Sequence, residues 1–173
     1  MNNFIQSVII SFVTAFLSYL FIIRQSKIKE LHNIYTKIYL PILIDFSRYS
    51  YNYLNPYPDN HLYIKNLVDT LLENLYYFDQ DIITEIRRLA LNASLAYSVS
   101  RAGDDFHANN NIKYPIQSTL STLIIQSIKI SQKLSMDYNF DDLIKIYDLD
   151  RNWIKEKTKQ SYLQSKLNNI FRW

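Results

Sequence analysis

Apolar residues are nearly unbroken in the first part of the chain. Residues 4–23, FIQSVIISFVTAFLSYLFII, carry no charged side chain. Because a helix rises about 1.5 Å per residue, this run reaches the roughly 30 Å of a bilayer's hydrocarbon core. The pattern predicts a transmembrane helix, and we assign residues 1–23 as a membrane anchor.

A cleaved secretion signal is the alternative interpretation of this run. Such a signal begins with positive charge and ends at small residues, whereas here no Lys or Arg precedes the run and large apolar residues end it. A retained anchor is therefore favoured. Arg24, Lys27 and Lys29 follow it, and cations near a span stay cytoplasmic. We expect a single-pass protein of the bacterial inner membrane, with its amino terminus outside and its body in the cytoplasm.

Helical spacing of apolar residues continues beyond the anchor. The positions that repeat every three or four residues are Ile28, Leu31, Tyr35, Ile38, Ile42, Phe46 and Tyr49. This spacing is typical of one apolar helix face. It predicts a helix that is continuous with the anchor, extends to about Tyr53, and is bent or divided at Pro41.

Turn and capping signals divide the middle of the chain. Residues 54–60 contain two prolines and predict a loop. Asp59 or Asn60 is then expected to cap one helix, and Asp79 or Asp81 the next. Apolar positions in the latter, listed by their spacing, predict an inner face of Ile82, Ile86, Leu89, Ala93 and Tyr97.

The last part of the chain begins with a polar stretch. Residues 101–114 contain the single glycine and three consecutive asparagines, which predict irregular structure, and Pro115 is expected to open the following helix. A short helix over 141–149 and a final helix capped by Asp150 complete the pattern. The sequence thus predicts an all-α protein, in which residues 24–173 form one cytoplasmic helical bundle of four to six helices.

Composition narrows the chemistry. The chain lacks cysteine, which excludes disulfides, thiolate metal sites and cysteine nucleophiles. One glycine cannot build a glycine-rich phosphate loop, and no nucleotide motif occurs. We therefore expect no cofactor and no resident metal. The fifteen tyrosines and scarce Gly and Ala are typical of an A+T-rich genome and carry no functional meaning by themselves.

Charge is unevenly distributed along the chain. Residues 30–150 carry ten cations and fifteen acids, whereas residues 151–173 carry six cations and one acid. A negatively charged inner leaflet attracts nearby cations, so lipid is an expected partner and nucleic acid is not favoured. The predicted membrane-surface cations are Arg24, Lys27, Lys29, Arg151, Lys155, Lys157 and Lys159.

Four small hydroxyl residues recur within the anchor at helical spacing, namely Ser7, Ser11, Thr14 and Ser18. Such a stripe allows transmembrane helices to approach closely and to hydrogen-bond across the contact. The alternative is that each hydroxyl bonds to its own helix and faces lipid. The stripe predicts self-association or a partner within the membrane.

The residues most typical of an active site lie between 101 and 107. Asp104, Asp105 and His107 are potential metal ligands, but adjacent aspartates usually point apart and no second ligand cluster exists. Arg101 and His107 bracket five residues, which resembles the arginine–histidine motif of HEPN-type helical ribonucleases. The resemblance implies RNA cleavage, with histidine as acid or base and arginine stabilising the charged transition state. It covers two residues, and Ala102 departs from the polar residue usual there.

The expected function is recognition without catalysis: an anchored helical module that binds a protein partner or a second copy at the inner leaflet. Two alternatives remain at this point. One is a membrane-tethered HEPN-like ribonuclease that uses Arg101 and His107. The other is a pore-forming or membrane-disrupting effector that assembles through the anchor.

Overall fold

The structure is a computed structural model. It describes the backbone of residues 2–136 and 139–170, with side chains for 7–136 and 139–160. Regular structure in these ranges is entirely helical, as the sequence predicts. The helices are α1 (Asn2–Ile34), a π-helical segment (Tyr35–Tyr39), α2 (Leu40–Arg48), α3 (Ser50–Leu54), α4 (His61–Glu73), a 3-10 turn (Leu75–Tyr77), α5 (Gln80–Arg101), α6 (Asp105–Leu134), α7 (Asp141–Ile146) and α8 (Arg151–Ile170).

The first helical run continues without a break from the apolar segment into the packed part of the protein. Pro41 lacks an N–H, and its ring crowds the carbonyl four residues earlier. The helix accommodates it through the π segment, in which the Leu40 N–H donates to the Tyr35 carbonyl. Pro41 therefore perturbs the run without dividing it. The run ends at Tyr49, so α3 is a separate short helix, and the prediction of one helix to Tyr53 was too long.

The described residues from Tyr35 to Gln160, which we call the helical body, share one buried apolar cluster. Helices α5 and α6 form an antiparallel pair joined by the turn at 102–104, and α2 and α4 pack beside them. Two tyrosine side chains connect segments that are distant in the sequence by hydrogen bonds. The Tyr147 hydroxyl donates to the Phe46 carbonyl at 2.8 Å, and the Tyr57 hydroxyl donates to the Ala93 carbonyl at 3.0 Å. Both bonds satisfy polar groups within the core.

The predicted irregular stretch 101–114 is wrong, since α6 begins at Asp105 and includes the three asparagines. Asparagine disfavours helix interiors, but packing overrides this propensity where one face is buried. Ala108 and Ile112 are completely buried. The Asn109 side chain makes two hydrogen bonds to the backbone of Tyr57. Its Oδ1 accepts from the Tyr57 N–H at 3.0 Å, and its Nδ2 donates to the Tyr57 carbonyl at 3.1 Å.

Pro115 does not open a helix and instead lies inside α6. It is buried, and its neighbour Ile116 is completely buried. The signal that opens α6 is Asp104, whose carboxylate accepts the His107 N–H at 3.1 Å. This side-chain cap replaces the missing intrahelical partner of an N-terminal amide.

Two of the other capping predictions are confirmed and one is not. Asp79 and Asp150 cap α5 and α8 as predicted, accepting the N–H groups three residues later at 3.1 and 3.0 Å. Asn60 precedes α4, but its side chain bonds to Asn52 and to the Asn55 carbonyl and does not cap.

The structure also corrects the end of one predicted helix and the inner face of another. The short helix α7 ends at Ile146, three residues before the predicted end. On α5, Tyr97 is 42% exposed, and Ala96 occupies the buried position in its place. A small residue fits there because α5 lies close against α6.

Candidate functional site

The apolar half of α1 is exposed along its whole described length. Side chains from Val8 to Ile22 do not pack against the helical body, and Phe12 is 75% exposed. In the described residues, the run Ser7–Arg48 is long and apolar enough to cross a membrane by length and composition, and none of its apolar window is buried. A soluble protein rarely exposes so large an apolar surface.

The hydroxyl stripe lies on an exposed face of this helix. Ser7, Ser11, Thr14 and Ser18 are all exposed, and the Thr14 hydroxyl donates to the Ile10 carbonyl at 2.8 Å. That bond is the local alternative expected for a hydroxyl within a helix. A hydroxyl bonded to its own helix still leaves a small side chain at which a second helix can approach.

The predicted cations fall into two separate groups. Arg24, Lys27 and Lys29 are exposed on α1 directly after the apolar run. Arg151, the first residue of α8, is instead bonded at 2.7 Å to Asp141, the first residue of α7, and α7 packs on α2. Because Phe46 of α2 lies about 33 Å along the helical run from Arg24, the structure does not bring Arg151 beside the first group.

The remaining predicted cations follow Arg151 on α8. Lys155, Lys157 and Lys159 are exposed, whereas Ile154 and Thr158 are buried. Lys155 and Lys159 are one turn apart and share an exposed face of α8, whereas Lys157 lies on a different side of the helix. Ile154 and Thr158 face the body, where α8 packs against α6. Residues 171–173 lie outside the described part of the chain.

Arg101 and His107 flank the turn between α5 and α6, and both are exposed. The His107 Nδ1 lies 2.7–2.8 Å from the carboxylate oxygens of Asp104. The His107 backbone N–H and then its side chain hold the pKa of Asp104 below its ordinary value. The structure thus joins His107 to Asp104, an aspartate within the predicted motif.

Metal binding at this turn finds no support in the arrangement. Asp105 accepts a hydrogen bond from the Ser100 hydroxyl, whereas Asp104 is engaged by His107. Across the described residues, no group of three or more His, Asp or Glu side chains is placed to hold a metal ion.

Two surface features of the body were missed in the sequence. Leu91 and Leu95 lie on the outer side of α5 and are 63% and 54% exposed. Their spacing from the buried Ile86 and Leu89 already placed them off the inner face, and this signal could have identified them. Aliphatic side chains that share an exposed helix face offer a contact to another protein.

The second missed feature is a groove of about 460 Å³ between α5, α6 and α8. The charged residues that line it are Asp79, Asp81, Glu85, Lys129 and Lys157. One Glu85 oxygen is inaccessible to solvent and makes no hydrogen bond, with the nearest Arg88 nitrogen at 4.0 Å. The groove combines both signs of charge and selects no single class of ligand.

Comparison with known proteins returned no match to a family model, a curated protein or a solved structure. The functional argument therefore depends on the residues of this chain alone.

Proposed function

We propose that this protein is a single-pass protein of the bacterial inner membrane, whose helical body binds a protein partner or a second copy at the cytoplasmic leaflet. The observation that carries the proposal is one helical run with two different surroundings. Its first half is apolar and exposed, whereas Tyr35, Tyr39 and Phe46 in its second half are buried in the body. Insertion of the first half into lipid removes its apolar surface from water.

The cations after the apolar run support the orientation. Arg24, Lys27 and Lys29 are exposed and lie next to the end of the span, which favours a cytoplasmic body. The absence of cysteine makes this orientation straightforward to test, because an introduced cysteine is then the single thiol in the protein.

The test of topology uses Asn3→Cys and Asn111→Cys with a membrane-impermeant maleimide. We expect Asn3→Cys to be labelled in intact spheroplasts and Asn111→Cys only after lysis. Labelling of Asn111→Cys in intact spheroplasts would contradict the orientation. Recovery of the protein in the soluble fraction would contradict the anchor itself.

Two surfaces support the binding role. The hydroxyl stripe lies on the span, and Leu91 and Leu95 lie on the body. We expect the protein to form a defined oligomer or complex through at least one of them, because both present side chains suited to close helix contacts.

The binding test measures mass in mild detergent by light scattering, corrected for bound detergent. Ser11→Leu/Ser18→Leu tests the stripe, Leu91→Gln/Leu95→Gln tests α5, and Leu62→Gln on α4 is an exposed control. Loss of the oligomer in one double variant assigns the interface. A monomeric parent that also captures no protein from its own cells would refute the binding role.

A second candidate, membrane-tethered ribonuclease activity, gains one observation. The Asp104 carboxylate holds the His107 Nδ1, which leaves Nε2 as the group able to exchange a proton, with Arg101 on the preceding helix end. This candidate requires the purified parent to cleave RNA and His107→Ala to lose cleavage while keeping its helical circular dichroism. Cleavage that persists in His107→Ala, or that is absent from the parent, would exclude it.

A further inference from the structure

Hydrogen bonds fix how far α6 extends along the first helical run. The Tyr147 hydroxyl donates to the Phe46 carbonyl at 2.8 Å, and the Tyr147 carbonyl accepts from Gln117 Nε2 at 2.7 Å. Tyr147 therefore joins α2 and α6 at one level, with Phe46 opposite the region of Gln117.

A second set of contacts gives an independent level. The Tyr39 ring packs on Phe78 with centroids 5.4 Å apart, just before α5 begins. Along the antiparallel pair, the Thr119 hydroxyl donates to the Glu85 carbonyl at 3.3 Å. Phe78 is seven residues before Glu85, and Gln126 is seven residues after Thr119. In an antiparallel pair, Phe78 and its neighbour Tyr39 therefore lie opposite the region of Gln126.

The two levels agree with one antiparallel arrangement of α6 and the first helical run. Extending that arrangement places Lys133 opposite the region of Leu31, and both Leu31 and Leu134 pack at the edge of the same core. Since Leu31 follows the apolar run by little more than two turns, Lys133 lies about 12 Å beyond the end of the hydrocarbon span. With Ile23 at the end of the hydrocarbon core, a polar headgroup layer of about 5–7 Å brings the helical level of Lys133 within about 8 Å, one Debye length, of the lipid phosphates.

The charge of α6 is polarised along the same direction. Its single acid, Asp105, and the cation Lys113 lie in the half farther from the apolar run and offset each other, whereas Lys129 and the exposed Lys133 lie at the end nearest that run. Complementing the helix dipole accounts for a cation in the last turn, but Lys129 lies outside that turn. Lys157 of α8 lines the same groove as Lys129, but so do the carboxylates of Asp79, Asp81 and Glu85. Lys133 does not line this groove, so it is the cation at this end of α6 that carries most of the argument.

We propose that the carboxyl-terminal end of α6, with Lys129 and Lys133, is a second membrane contact that binds the phosphate headgroups of anionic lipids and holds the body against the leaflet. This inference depends on the proposed anchor, because α1 sets the distance between α6 and the bilayer. Lys133 makes the closer contact and Lys129, one turn further away, a weaker one.

The test uses the full chain in lipid nanodiscs, with single cysteines that carry a fluorophore. Gln132→Cys reports on the end of α6, Asn111→Cys is the matched control near its start, and Phe16→Cys reports on the span. Discs contain phosphatidylcholine alone or with phosphatidylglycerol, and carry spin-labelled lipid that quenches at the headgroup or in the acyl chain.

We expect headgroup quenching of Gln132→Cys to exceed that of Asn111→Cys and to rise when phosphatidylglycerol is present. Lys129→Gln/Lys133→Gln should remove this rise, since each fully engaged cation changes the ratio of docked to undocked body by about fivefold. The Phe16→Cys label should be quenched from the acyl chains throughout.

The outcomes separate the two proposals. Absence of acyl-chain quenching at Phe16→Cys would refute the anchor and, with it, the lipid contact. Quenching at Phe16→Cys with equal signals at Gln132→Cys and Asn111→Cys would leave the anchor standing and overturn the contact. Equal quenching of Gln132→Cys with and without anionic lipid would also overturn it, because headgroup charge would then not be what the lysines recognise.

Discussion

The anchor can be tested by placing two arginines in the apolar run, in the variant Val13→Arg/Leu17→Arg. These residues lie one helical turn apart, are 48% and 59% exposed, and do not pack against the helical body. The substitution therefore leaves the core unchanged. Its effect should fall on membrane insertion and not on folding.

The size of the effect follows from the composition of the span. Residues 4–23 contain thirteen Val, Ile, Leu or Phe, which together favour insertion by about 4–8 kcal/mol, before its polar residues reduce this. Each arginine near the centre of a span opposes insertion by about 2.5–3.5 kcal/mol. The double variant therefore cancels most or all of the gain, whereas Val13→Arg alone leaves a partly inserted protein.

The assay is the fraction of protein that remains with membranes after alkaline carbonate extraction. The matched control is Leu91→Arg/Leu95→Arg, which adds the same charges at the same spacing to exposed leucines outside the span. We expect the first pair to release most of the protein and the control to release none. Retention of Val13→Arg/Leu17→Arg, or equal release of both variants, would refute the reasoning.

Three further predictions concern the helical body. Tyr147→Phe removes the donor to the buried Phe46 carbonyl and should lower the free energy of unfolding by about 1–3 kcal/mol, whereas Tyr76→Phe, at a 93% exposed position, should change it little in thermal melts. Asp104→Asn keeps a capping oxygen but removes a carboxylate whose pKa is lowered in the folded protein. Thermal melts should show that the parent loses stability as pH falls below about 4, and that the variant loses less. Burial raises the pKa of Tyr57 from 10.0 to about 12. The stability that this shift contributes is present below pH 10 and is lost as pH rises toward 12. Alkaline denaturation should therefore show a smaller loss of stability over this pH range for Tyr57→Phe than for the parent protein.

The asparagines of α6 show where sequence reasoning failed and why. Asn109, Asn110 and Asn111 have low helix propensity and suggested a loop. Their helix forms because Ala108 and Ile112 are buried in the core and Asn109 bonds to the backbone of a loop 52 residues earlier. That partner is distant in sequence, so no local pattern could identify it.

The candidate functional residues divide in the same way. The hydroxyl stripe and the cations after the apolar run are local patterns, and the sequence was sufficient to propose them. The contact between the His107 ring and the Asp104 carboxylate is also local, because the two residues are three positions apart at the start of one helix. A prediction of irregular structure for this segment hides that contact. The exposed positions of Leu91 and Leu95 on α5 could be predicted from the same helical periodicity that identified its inner face.

The sequence by itself determined that the chain is helical and that its first apolar run is long enough for a bilayer, because both follow from side-chain periodicity and from helix rise. The tertiary structure alone decided that this run is unburied and that the same helix then enters the core at Tyr35. It also decided which end of α6 lies nearest the apolar run, because that level is set by contacts between residues far apart in the chain, such as Tyr147 with Phe46.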